Sequence, residues 1–194
     1  MVGPAPAPAP VKTLVVCAAS RHGGTCEIAD RIAATLTLVL PRHWHVVRAE
    51  LSDLRVLDGA DVVVLGSAIY YGHWMRSAAK ALEYLRESRP DDLWLFSTGP
   101  ISEVESENAQ MISADALADL GEADEHMVFG GKLDTTHLSF IERLVVKGVH
   151  ALPGDHRDWA MVDAWANHIA QELGADPTHQ VHGTKGTSGQ GISP

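Results

Sequence analysis

Ser20-Arg21-His22-Gly23-Gly24-Thr25 places a hydroxyl at either end of a segment with two adjacent glycines, directly between an apolar run and a helical pattern. Glycine reaches left-handed backbone angles, so successive N–H groups can turn into one small cavity. The helix that follows adds unpaired N–H groups and a partial positive charge. A phosphate monoester fits such a loop. The segment carries neither the Gly-x-x-x-x-Gly-Lys-Ser/Thr of a triphosphate loop nor the Gly-x-Gly-x-x-Gly of dinucleotide folds. The plain alternative is a strand-to-helix turn in which Ser20 or Thr25 simply caps the helix.

Two further segments have the same character. Gly66-Ser67-Ala68-Ile69-Tyr70-Tyr71-Gly72-His73-Trp74 crowds three aromatic rings into one Gly-containing stretch, although Phe, Trp and Tyr make up only 6% of the chain. A planar ring system could stack there, with Ser67 and Ala68 small enough to let backbone approach it. Ser97-Thr98-Gly99-Pro100 is a polar turn able to offer backbone donors and acceptors. For either loop alone, packing beneath a long connection is the competing explanation. A phosphate cradle, an aromatic wall and a small polar turn together describe an FMN pocket.

These loops need a scaffold that brings them to one edge. Short, nearly uninterrupted apolar runs occur at Thr13–Ala19, Val62–Ile69, Leu93–Ser97 and Met127–Gly130, as central strands of a parallel sheet require. Trp44–Ala49 is shorter and more mixed, as expected of an edge strand. Helical periodicity predicts helices over Thr25–Leu38, Met75–Glu87, Ala109–Leu120 and Trp159–Leu173, the last capped by Asp158 and ended by Gly174. This alternation is that of a doubly wound α/β domain with about five parallel strands. Such domains bind ligands at the carboxyl ends of the strands, where the strand order reverses.

The chain has 194 residues, enough for one domain. Residues 1–10 alternate Pro and Ala and read as an extended, disordered arm, residues 11–176 as the folded domain, and residues 177–194 as a disordered tail. Asp and Glu number 25 against 15 Lys and Arg, a formal charge of −10, and no basic block appears, which argues against nucleic-acid binding. No apolar run approaches the roughly 20 residues of a membrane-spanning helix. The Pro/Ala-rich start is unlike a secretory leader, and two cysteines are too few for a disulfide framework. A cytoplasmic location is the expectation.

Ser20–Thr25 with Glu27-Ile28-Ala29, and Val63-Val64-Leu65-Gly66-Ser67-Ala68-Ile69-Tyr70-Tyr71-Gly72-His73, resemble the flavodoxin-domain family. The branch they resemble includes menaquinone-dependent protoporphyrinogen dehydrogenase and many actinobacterial flavodoxin-domain proteins. Val128-Phe129-Gly130-Gly131-Lys132-Leu133 and Gly154-Asp155-His156-Arg157-Asp158-Trp159 extend the likeness over nearly all of Val11–Leu173. The resemblance implies a flavodoxin-like, five-stranded parallel sheet of order 2-1-3-4-5 with FMN where strands one and three part. It implies that Ser20, Arg21, His22, Gly23, Gly24 and Thr25 hold the phosphate. Ser67, Ala68, Ile69, Tyr70, Tyr71, Gly72 and His73, with Ser97, Thr98, Gly99 and Pro100, would line the isoalloxazine, Tyr71 being the first choice for the stacking ring.

The remaining chemistry-bearing residues read as follows. The eleven histidines lack a second matched set of ligands, so no metal site is expected. His73, beside the flavin, is the single weak catalytic candidate, able to hydrogen-bond or donate a proton. Cys26 sits in a first helical turn, which favours thiolate, yet an inert small residue is expected there, and Cys17 reads as a buried strand residue. Leu138, Ile141, Leu144, Val145 and Val149 form a stripe that packs on the domain, covers a quinone site or touches a membrane.

Three functions remain open at this point. The first is an FMN-dependent oxidoreductase acting on a quinone-like or large aromatic substrate. The second is an electron carrier docking on a redox partner protein. The third is a flavin-free binding module.

Overall fold

The computed structural model describes residues 10–70, 73–99, 123, 125–133 and 154–174. Five parallel strands form the sheet: β1 (Lys12–Ala19), β2 (Trp44–Ala49), β3 (Val62–Tyr70), β5 (Asp92–Gly99) and β6 (Glu125–Gly130). Their spatial order is β2-β1-β3-β5-β6. With the two-residue strand β4 (His73–Trp74) set aside, this is the expected 2-1-3-4-5. The short β4 folds back antiparallel on the end of β3, pairing Ile69 with Trp74 and Tyr70 with His73. A second small sheet is an antiparallel ribbon of β7 (Lys132–Leu133) and β8 (Gly154–Asp155).

Side-chain alternation divides the core in two. Leu14, Val16 and Ala18 of β1, Val62 and Val64 of β3 and Trp94 and Phe96 of β5 pack under α1 (Gly24–Val39) and α3 (Trp159–Glu172). Val15, Cys17 and Ala19, with Val63, Leu65, Leu93 and Leu95, pack under α2 (Arg76–Ser88). Both faces of the central strands are therefore covered, which is why their sequences are continuous apolar runs. Strand β2, at the edge, is only partly buried.

The helices begin where local chemistry directs. Gly23 precedes α1 at φ 83°, a left-handed angle that turns the chain from β1 into the helix. Asp158 caps α3, its Oδ1 accepting the N–H groups of Ala160 (2.9 Å) and Met161 (3.1 Å). Gly174 follows α3 at φ 85°. On one face α1 lies beside α3, joined by Arg31 gripping Asp163 through two 2.6 Å bonds. Under them, Phe96, Phe129 and Trp165 meet edge to face with centroids 5.7–6.1 Å apart. The Phe96 ring fills the space that a Cβ at Gly66 would need.

Observed bounds differ from the expected ones by one or two residues at most positions, and β5 runs on through Gly99. The short β4 and the β7–β8 ribbon are additions that periodicity does not register. The expected helix at Ala109–Leu120, the stripe at Leu138–His150, the tail and most of the N-terminal arm lie outside the described residues. Among the described residues no helix is long and apolar enough to cross a membrane.

Candidate functional site

The carboxyl ends of β1, β3 and β5 are neighbours, with Ala19 paired to Ser67 and Ser67 to Ser97. The turn Ser20–Gly23 leaves β1 and delivers the N-terminus of α1 to this edge. The Thr25 N–H donates to Ser20 Oγ at 3.3 Å, and the Gly23 carbonyl accepts the Glu27 N–H at 2.9 Å. Ser20 is half-buried, while Arg21 and His22 are exposed. Thr25 turns inward: it is 2% exposed, and its Oγ1 lies 2.7 Å from Thr98 Oγ1. That bond ties the first turn of α1 to the end of β5.

The hydroxyls on the other face of the sheet also meet partners within the protein. Ser67 Oγ accepts the Met75 N–H at 2.9 Å and lies 2.9 Å from the Ala68 carbonyl, so it holds the start of α2. Ser97 Oγ accepts the Trp74 indole N–H at 2.8 Å and lies 2.9 Å from His126 Nε2. Trp74 packs against the α2-side core. Ile69 and Tyr70 are half-buried, and His73 is exposed. The Tyr70 ring lies 6.5 Å from that of His22, joining the first and second loops across the edge. Gly99 continues the edge and accepts the Gly131 N–H at 3.0 Å through its carbonyl. Tyr71, Gly72 and Pro100 lie outside the described residues.

The structure thus brings Ser20, Arg21, His22, Gly23 and Gly24 to the same edge as Ala68, Ile69, Tyr70, His73 and Gly99. Thr25, Ser67, Ser97 and Thr98 stand directly behind them, with their hydroxyls engaged in the frame. The groups at this edge are the backbone of a glycine turn leading into a helix N-terminus, the Ser20 hydroxyl, the Arg21 guanidinium and the rings of His22 and Tyr70. No carboxylate occurs within Ser20–Thr25. This donor set suits a phosphate and a flat ring, so the residues present fit FMN.

Charge at the helix end is balanced by residues of the ribbon and of the segment that follows it. Arg157 Nη1 lies 2.5 Å from Glu27 Oε2, Arg157 Nη2 lies 2.5 Å from Asp155 Oδ2, and Lys132 Nζ lies 3.7 Å from Glu27 Oε1. Hydrogen bonds from Arg157 hold the Asp155 carboxyl down at about 2. His126 is pulled down to about 4 by burial, so it is neutral at ordinary pH. Burial raises Cys17 to about 12 and also raises Cys26, whose Sγ lies 3.8 Å from the Ala18 carbonyl. For Cys26, desolvation outweighs the nearby Arg48 guanidinium, and the thiol is not activated. Among the described residues, no three His, Cys, Asp or Glu side chains cluster as a metal site would need.

The sequence gives His126 no role, and it marks Lys132 and Arg157 only as members of segments that share the family likeness. His126 sits in a strand pattern that gives no hint of Ser97. Arg157 sits in Asp155-His156-Arg157-Asp158, a charged segment that shares the family likeness and supplies the Asp158 cap, with nothing in it that points to Glu27.

The family model for the flavodoxin domain matches residues 15–159 of the chain. No curated protein matches it in sequence. Among solved structures, Flavodoxin 2 from Bacillus cereus superposes with a TM-score of 0.56 at 21% identity, covering 84% of this chain and 99% of that one. A flavodoxin from the domain Archaea gives 0.55 at 15% identity, covering 83% and 98%. A flavodiiron core from Synechocystis gives 0.58 at 16% identity and covers 85% of this chain. The chain spans 36% of the length of that protein, and likewise 36% of the rubredoxin:oxygen oxidoreductase of Desulfovibrio gigas.

Proposed function

Because the chain belongs to the flavodoxin domain family, we propose that it binds FMN at the carboxyl edge of β1, β3 and β5 and works as an oxidoreductase. One observation carries this reading: the carboxyl ends of β1, β3 and β5 lie side by side, so that the Ser20–Gly24 turn, Ala68–Tyr70 and Thr98–Gly99 share one edge of the sheet. The Ser20–Gly24 backbone and the start of α1 would take the phosphate, with Arg21 beside it. Ala68–His73 and Thr98–Pro100 would line the ring, presenting mainly backbone, since the hydroxyls of Ser67, Ser97 and Thr98 already have partners. FMN, when bound, supplies the electron or hydride chemistry, and the protein orients it.

The partner we favour is a quinone-like or large aromatic molecule approaching the exposed ring edge past Tyr70 and His73. A porphyrinogen is the large-ring case, in keeping with the branch that the sequence resembles. The formal charge of −10 supports a second reading, in which the protein carries electrons to a partner with a basic surface.

The test begins with a visible spectrum after FMN is added and the excess removed. Flavin bands should be retained in the protein and lost in Ser20→Ala combined with Gly23→Val, since valine is strained at φ 83°. A wild-type protein that stays colourless overturns the redox reading and leaves the flavin-free module. Rapid reoxidation of the reduced protein by a soluble quinone identifies the enzyme. Reoxidation by a basic acceptor protein alone, at a rate falling steeply with salt, identifies the carrier.

A further inference from the structure

Arg157 makes four side-chain hydrogen bonds and a ring contact, and it lies on none of the three loops. Its side chain is 4% exposed. Nε and Nη2 donate to Asp155 at 2.7 and 2.5 Å, and Nη1 donates to Glu27 at 2.5 Å and to the Gly24 carbonyl at 3.5 Å. Its guanidinium carbon lies 4.5 Å from the centroid of the Trp159 ring. The ribbon that carries this cluster is itself tied to the site edge, through Gly131 N–H to the Gly99 carbonyl (3.0 Å) and His156 N–H to the Gly131 carbonyl (3.2 Å).

Glu27 lies in the first turn of α1, where a carboxylate interacts favourably with the helix end. It therefore competes with any anion that uses the same end. Left unpaired, it would repel a phosphate held by the turn just before it. Arg157 and Lys132 together offset Glu27 and Asp155, so the cluster is neutral only with both cations in place, and Arg157 Nη1 also reaches the Gly24 carbonyl at the helix start at 3.5 Å.

We propose that Arg157 is a positioning residue for the FMN phosphate, fixing the first turn of α1 and neutralising Glu27 without touching the ligand. The proposal rests on FMN binding at this edge. Its signature is phosphate selectivity: Arg157 matters to FMN and not to riboflavin, which has the same ring and no phosphate.

The experiment titrates the apoprotein with FMN and with riboflavin, following flavin fluorescence, alongside thermal melts of every variant. Arg157→Met keeps a long side chain over Trp159 and should weaken FMN about tenfold, the scale of one uncompensated charge in a partly screened setting. Riboflavin affinity should change less than about twofold, a difference too small to reflect a lost charge. Adding Glu27→Gln to Arg157→Met should return FMN affinity close to the wild type, which a merely structural role would not do. Equal weakening of both flavins, unchanged FMN affinity, or no recovery in the double variant overturns the proposal. If Arg157→Met does not fold, Glu27→Gln alone decides: the preference for FMN over riboflavin should rise, and a fall overturns the proposal. A wild type that binds neither flavin removes the FMN reading and this inference together. A wild type that binds FMN with no Arg157 effect removes only the inference.

Discussion

Gly66 is held to its identity by its neighbour across the sheet. The ring of Phe96 fills the space a Cβ would need, and Phe96 in turn contacts Phe129 and Trp165. Gly66→Ala should destabilise the protein by about 2 kcal/mol or more, seen as a lower urea midpoint with an unchanged slope. His126 allows a pH prediction. Its folded value of about 4 lies below the ordinary 6.5, so between these values the unfolded chain binds the extra proton. Its contribution is complete above pH 6.5 and is lost as pH falls toward 4, amounting to roughly 1–3 kcal/mol. Urea midpoints at pH 7 and pH 4.5 should therefore differ more in the wild type than in His126→Asn, and equal differences would refute this assignment. At this scale the sequence marks Gly66 as a small residue inside the strand run Val62–Ile69 and His126 as nothing in particular. Both roles come from strand neighbours, which residue type alone does not name.

The elements were legible wherever their signals are local. Asp158 caps α3 as its position before an apolar-periodic segment predicts, and both bonds are present. Asp158→Ala should cost about 1 kcal/mol, measurable by denaturant titration, with Asp158→Ser restoring most of it. The parallel strands were legible because burial on both faces writes itself as continuous apolar runs. By contrast, β4 and the β7–β8 ribbon have two residues per strand, too few for any period. Their pairing depends on where distant segments lie, as when Gly131 reaches the Gly99 carbonyl. The candidate site inherits the same division. Its loops follow legible strands, while the ribbon that carries Arg157 does not show in the pattern.

Across the whole molecule, the layer under α1 and α3 holds the aromatic cluster. Trp165 joins helix to sheet there, against Trp94, Phe96 and Phe129. Its indole N–H also donates to Glu125 at 3.1 Å. Trp165→Ala should cost about 3–5 kcal/mol, lowering the urea midpoint and the thermal midpoint together. The fold class, the five parallel strands, three of the helices and the edge on which function would gather were determined by the sequence alone, because apolar period, caps and glycine turns act over a few residues. Tertiary structure decided which hydroxyls face inward, pairing Thr25 with Thr98 and Ser97 with His126. It also decided that Arg157 pairs with Glu27. Those contacts join residues 29 to 130 positions apart, and their partners are chosen by strand order and register, which short-range patterning does not encode.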